Sequence, residues 1–310
     1  MMWREALPGV WRVDVSHPSP GHTCCYLLTE KDSAALVDCG AKKGVSTVLE
    51  ALTAAQMRPE QVQWIIATHS HMDHVGSAGE FLQHFPNATL VGHANALEHL
   101  VNPYNRLIPA VRRLFGDAWF DAQYGPIVPA EEARVKTLED GATLEFGGRT
   151  LTALYTPGHA WHHLSIHDPA RDIFYGGDAY GVSYAGNTSG DSFIVPVMPP
   201  SQFAPVEMAQ SLRKLRDLKA TWVGLAHFDI KPNSPILAQR QIDAIDDWVE
   251  MAKQIPIDDS FADDFQVKLK SYMATVATAQ GFDGVSDYHD HDTFLSSRGF
   301  EYWLKRHYRQ

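Results

Sequence analysis

The chain has 310 residues, 45% hydrophobic and 20% charged. That composition can bury a sizeable core and excludes a wholly disordered or collagen-like chain. Lys plus Arg number 26 against 37 Asp plus Glu, a net charge of −11 with His neutral, which argues against nucleic acid or an anionic membrane as a partner held by bulk charge.

No apolar run approaches the roughly 18 residues of a membrane span. The start, Met1-Met2-Trp3-Arg4-Glu5, lacks the basic flank and apolar stretch of a signal peptide. Cys24, Cys25 and Cys39 form no disulfide framework. A cytoplasmic protein is expected.

Strands are predicted at Val10–Val15, Thr23–Thr29 and Ala34–Val37, followed by a helix over Val45–Ala55 from the spacing of Val45, Val48, Leu49 and Leu52. Trp64–Thr68 reads as a strand covered on both faces, then a helix from about Val75 to Phe85 and a strand Thr89–Gly92. Residues 100–133, aromatic-rich and broken by Pro, read as an insertion carrying a helix or two. Strand signals return at Thr143–Phe146, Thr150–Leu154, Leu164–Ile166 and Ile173–Tyr175. A helix near Val206–Leu218 and a strand Trp222–Ala226 follow. Helical spacing then dominates at Leu237–Lys253, Phe265–Thr278 and Thr293–Lys305. The division expected is a catalytic core over residues 1–231 and a helical extension over 232–310. The extension either roofs the core as a lid or serves as an arm for homodimerisation.

Sixteen His residues make histidine unusually frequent, and three of them fall in Thr68-His69-Ser70-His71-Met72-Asp73-His74. His69 and His71, two apart at a strand end, face the same way, and the turn into the helix brings Asp73 and His74 around a second centre. Neutral imidazole and carboxylate suit Zn, Fe or Mn. Three more candidates stand at strand ends: His159 in Thr156-Pro157-Gly158-His159, Asp178 in Gly176-Gly177-Asp178, and His227 after Ala226.

With Leu36-Val37-Asp38-Cys39-Gly40, these elements make the sequence resemble the metallo-β-lactamase superfamily over residues 8–230, specifically its dinuclear hydrolase branch of glyoxalase II and lactonases. The resemblance implies an α/β fold, a four-layer αββα sandwich with a helical C-terminal appendage. It implies two divalent ions per chain, Zn foremost with Fe or Mn as alternatives. One would sit on His69, His71 and His159, the other on Asp73, His74 and His227, with Asp178 bridging. Asp38 and His163 match buried supporting positions. The activity implied is attack of a bridging hydroxide on a small ester, lactone or thioester. Asp178 stands where some true β-lactamases carry a thiolate ligand, so antibiotic hydrolysis is not expected. Leu225-Ala226-His227-Phe228-Asp229 departs from the glyoxalase II pattern, and the tail shows no basic glutathione-binding cluster. Alternatives are a phosphodiesterase, a di-iron redox protein, or a metal-bearing signalling protein with incidental hydrolysis.

Around that site, His22 in Pro20-Gly21-His22-Thr23 is a candidate substrate contact. Tyr180 and Tyr184 are candidate donors to an oxyanion or leaving group. His162 is either a supporting residue or surface. Cys39 is read as small buried filler. Gly181–Gln202 is expected to lie over the site, and Asp287–Asp292 is read as a solvated acidic loop. The partner expected is a small-molecule substrate.

Overall fold

A computed structural model describes residues 1–183, 193–282 and 288–307. Seven strands, β1 (Trp3–Leu7), β2 (Val10–Asp14), β3 (Cys24–Glu30), β4 (Ser33–Val37), β5 (Val62–Ile66), β6 (Thr89–Gly92) and β7 (Val135–Thr137), form one sheet in that order. Its first four strands run antiparallel, and β4 to β7 are parallel. The second sheet has the order β13-β12-β11-β10-β9-β8. Its strands are β8 (Thr143–Phe146), β9 (Arg149–Tyr155), β10 (Leu164–Asp168), β11 (Ile173–Gly177), β12 (Trp222–Leu225) and β13 (Asp229–Pro232).

Helices α1 (Val45–Ala54), α2 (Met72–Val75), α3 (Ala78–His84), α4 (Ala94–Val101), α5 (Leu107–Phe115) and α6 (Asp117–Gln123) lie between strands of the first half. Helices α7 (Pro205–Asp217), α8 (Pro235–Lys253), α9 (Phe261–Ala279) and α10 (Tyr288–His307) belong to the second half and the tail. Three buried clusters define the layers. Val37, Ile66 and Val91 of the first sheet meet Leu151, Leu164 and Ile166 of the second. The outer face of the first sheet packs Leu27, Leu36 and Ile65 on Val48, Phe81 and Leu97. The outer face of the second packs Phe174, Val223 and Leu225 on Leu212, Trp248, Phe265 and Phe300. The result is the expected αββα sandwich, in which both sheets are buried on both faces.

The tail helices share a hydrophobic cluster with β11 and β12, so their buried residues are continuous with the core, while Val267 and Tyr302 stay exposed. Phe300, fully buried, lies 4.9 Å ring to ring from both Phe203 and Phe265.

Two expectations need correction. The helix read over Val75–Phe85 divides into α2 and α3 around Gly76-Ser77. The acidic run read as a solvated loop is instead the first turn of α10 from Tyr288 onward, with His289 and Asp292 buried. Helical spacing there carries few apolar residues, so the burial of polar ones was not visible. Asp287 lies outside the described residues.

Candidate metal centre

The site gathers at strand ends of both sheets. β5 ends at Ile66, and the chain crosses the rim through Thr68, His69 and His71 before α2 delivers Asp73 and His74. From the second sheet come His159 after β9, Asp178 after β11 and His227 after β12. Ligand atoms of His69, His71, His159 and Asp178 lie within 4.8 Å of one another, as do those of Asp73, His74 and His227.

Hydrogen bonds assign the ring tautomers. His74 Nδ1 donates to Asp38 Oδ2 at 3.2 Å, His159 Nδ1 to the Val197 carbonyl at 3.0 Å, and His227 Nδ1 to the His22 carbonyl at 3.2 Å. Thr68 Oγ1 donates to Asp38, so it receives the His69 Nδ1 proton at 3.0 Å. Each of these four rings therefore turns its Nε2 inward. His71 Nδ1 stands 3.0 Å from both His69 Nε2 and His159 Nε2, and His74 Nε2 stands 3.2 Å from His227 Nε2. Asp178 straddles the two groups: Oδ2 is 3.3 Å from His159 Nε2, while Oδ1 is 3.4 Å from His74 Nε2 and 3.6 Å from His227 Nε2. Buried lone pairs converging on one another repel unless a cation lies among them, and imidazole with carboxylate is a donor set suited to a divalent metal ion. The residues fit such ions.

Protonation is divided between the groups. Burial, above all, lowers His69, His71 and His159 below the usual imidazole value, which keeps them neutral and able to ligate. Burial acts the same way on His74, but Asp73 and Asp178 overcome it and raise the ring well above that value; His227 is raised by the same pair against burial. Burial would raise both carboxyls, yet the surrounding imidazoles hold Asp73 and Asp178 far below the carboxylate range, ionised.

Two buried residues hold this arrangement. Asp38 accepts from Thr68 N at 2.9 Å as well as from the Thr68 hydroxyl and His74, tying the His69 strand end to the α2 turn. His163 Nδ1 donates to Thr156 Oγ1 at 2.9 Å, and its Nε2 accepts from Asp178 N at 3.1 Å, fixing where Asp178 leaves β11. Gly177 has φ +52°, and a Cβ there would come within 2.5 Å of His163 Nε2. A bulkier residue would displace the Asp178 turn.

His22 is buried, with its ring edge-on to His227 at 5.0 Å. Tyr180 is fully buried against Phe174, and its hydroxyl donates to Asn233 Oδ1 at 2.6 Å. It does not line the cavity beside the site, so the placement expected for a substrate donor is not the one observed. Its position two residues after Asp178 did not reveal that the chain turns inward. Tyr184 lies outside the described residues. His162 is buried and hydrogen-bonds Ser70 Oγ at 3.2 Å, and Cys39 is buried in the core. His17 and His291 also face the site; sequence reasoning passed over the first and placed the second in a solvated loop. His17 stacks on Tyr124 at 4.8 Å, and His291 on Phe115 at 5.5 Å. Only the fold brings these pairs together, since the partners are far apart in the chain.

A cavity of about 660 Å³ opens above the clusters, its floor formed by His71, Asp73, His159, Asp178 and His227. Its walls come from α5 and α6, from residues 197–202, and from α10. The described part of the Gly181–Gln202 stretch thus borders the site, with Val182 bridged to Val195. Among the described residues no helix is long and apolar enough to cross a membrane.

Comparison with known proteins agrees with this geometry. The chain is 28% identical over 171 residues to a metallo-beta-lactamase fold-containing protein, ST1585, of Sulfurisphaera tokodaii, covering 54% of this chain and 61% of that one. It is 28% identical over 138 residues to a hydroxyacylglutathione hydrolase of Salmonella typhi, covering 44% and 39%. The chain thus spans less than two thirds of the length of either relative. In structure it is similar to the metallo-beta-lactamase family protein TTHA1429 of Thermus thermophilus, with a TM-score of 0.72 over 97% of this chain and 95% of that one at 20% identity. The sequence profile of the metallo-beta-lactamase superfamily matches residues 18–227, and the chain belongs to that superfamily.

Proposed function

We propose that this protein is a metal-dependent hydrolase of a small ester, lactone or thioester. His69, His71 and His159 would hold one divalent ion and Asp73, His74 and His227 a second, with Asp178 shared between them. The observation that carries the reading is the convergence of five imidazoles and two ionised carboxylates, three of the imidazoles and both carboxylates forming the floor of a substrate-sized cavity. The hydroxyacylglutathione hydrolase among its relatives is, by name, a thioester hydrolase and supports the same class. Imidazole and carboxylate suit zinc, with iron or manganese as alternatives.

Bound divalent ions supply Lewis acidity toward a carbonyl oxygen and a water acidic enough to attack at neutral pH. The chain's own residues set the geometry. Asp38 and His163 fix the rings and carboxylate through buried hydrogen bonds. Asp73 and Asp178 keep their charge, so the site remains fit for cations across the neutral range. His22, beside His227, is placed to contact a substrate on the cavity floor, and the α5, α6 and α10 walls limit the water that reaches it.

The test is zinc-loaded protein on a panel of esters, lactones, thioesters and phosphodiesters. Turnover confined to carbonyl substrates, lost in Asp178→Asn, is expected. Selective phosphodiester cleavage, or no turnover on any member, would overturn the reading.

A further inference from the structure

Helix α5 has an unusual allocation of its apolar side chains. Among its residues only Ile108 is buried in the protein, alongside Met72, Phe120 and Tyr124. Leu107, Ala110, Val111 and Leu114, spaced as one helical stripe, line the cavity above the metal site, while Leu107 and Val111 also pack on the flank of that buried cluster. The stripe therefore lies between the core and a space that ends at the His and Asp clusters, and Ala110 and Leu114 give their apolar surface to that space. Phe115 continues it toward Trp119, 4.3 Å ring to ring, and toward Leu295 of α10 across the cavity.

One edge of the stripe is cationic. Arg106 and Arg113 also line the cavity, and seven residues apart they lie on the same side of the helix, about 10 Å from each other along it. Their neighbour Arg112 points elsewhere and is neutralised by Asp117 and Asp121 at 2.9 and 2.6 Å. Arg106 and Arg113 have no such carboxylate among the described residues, in a chain whose net charge is −11. Both are exposed at the mouth, whereas the His and Asp clusters form the floor.

We infer that the substrate is an acyl thioester or ester with an extended apolar chain and an anionic leaving group. The chain lies along Leu107, Val111 and Leu114, the scissile carbonyl reaches the floor, and the anionic group is met by Arg106 and Arg113. This rests on the hydrolase reading and narrows it. In the reaction a water oxygen bonds to the carbonyl carbon and the carbon–sulfur (or carbon–oxygen) bond breaks. The leaving thiol or alcohol takes up one proton, and the acid departs as its carboxylate with release of the other.

The experiment has a binding arm and a turnover arm, both on zinc-loaded full-length protein. Calorimetry with n-alkanols from butanol to octanol reads the apolar stripe without catalysis. Affinity is expected to rise roughly fourfold per added methylene. The rise should be abolished in Leu114→Asp and cut off at shorter chains in Leu114→Trp, which fills the groove rather than charging it. In the turnover arm, decanoyl-coenzyme A is compared with the uncharged decanoyl-N-acetylcysteamine thioester. The Arg106→Gln/Arg113→Gln double variant should lower the ratio of their kcat/KM values at least tenfold. Chain-independent affinity in the wild type would overturn the apolar part, and an unchanged ratio the anionic part. If short thioesters are hydrolysed while alkanol affinity ignores length, this inference fails and the hydrolase reading stands. If alkanols bind with the expected slope and nothing is hydrolysed, the hydrolase reading fails while the acyl groove survives.

Discussion

His74 and His227 face each other Nε2 to Nε2 at 3.2 Å, although 153 positions separate them in the chain. Each directs its other ring nitrogen away, His74 to Asp38 and His227 to the His22 carbonyl. The two sheets thus present opposed Nε2 atoms across their shared rim, with Asp73 Oδ2 3.2 Å from both. A cation among them turns a repulsion into a ligand set, and the predictions below follow from that.

Asp178→Ala should damage activity more than His22→Ala. The Asp178 carboxylate lies between both clusters, whereas His22 at most orients substrate. A loss of about a thousandfold or more against about tenfold is expected in kcat/KM. Near-normal turnover in Asp178→Ala with full metal content would remove it from the proposed role.

Asp38→Ala should weaken zinc binding by about 10- to 100-fold, because it frees both the Thr68 strand end and the His74 ring. Competition with a chromophoric chelator reads this directly. An unchanged affinity would mean that the rings hold their orientation without it.

How much of this was legible in the sequence differs by element. The central strands and the metal-type motifs were, because burial on both faces leaves continuous apolar runs and strand ends leave His and Asp in short fixed patterns. The three strands without a sequence signal, β1, β7 and β13, are all edge strands. None of their residues is fully buried, so no alternation of apolar and polar residues marks them. The cavity wall escaped for another reason. His17 and His291 reach it through tertiary packing on Tyr124 and Phe115, and nothing local in either segment distinguishes them from surface histidines.

The tail is predicted to be part of the core's stability. Phe300→Ala removes a fully buried ring packed edge-on or tilted among Phe203, Phe265 and Trp303, and should cost about 3–5 kcal/mol. Urea unfolding with a single transition would show it. A loss below about 1 kcal/mol would mean that α10 contributes little to the cluster shared with the second sheet.

His17 should make folding stability fall on the acid side. Burial, partly offset by Asp73, lowers its ring from 6.5 to about 4. Between those values the unfolded chain holds a proton that the folded chain rejects, so stability is complete above about pH 6.5, declines toward pH 4 and levels off below it. The component is about 3 kcal/mol. The stability advantage of wild type over His17→Asn, measured in the same metal state, should shrink through that window. A difference independent of pH would contradict it.

The central claim is that two clusters hold two ions that act together. Metal-stripped protein titrated with zinc, followed at each step by elemental analysis and by thioester turnover, tests this most directly. Bound metal should plateau at two equivalents per chain, and Asp73→Ala or His227→Ala should lower the plateau to one while activity collapses. A plateau at one equivalent in the wild type, with Asp73 and His227 replaceable without loss of turnover, would contradict it.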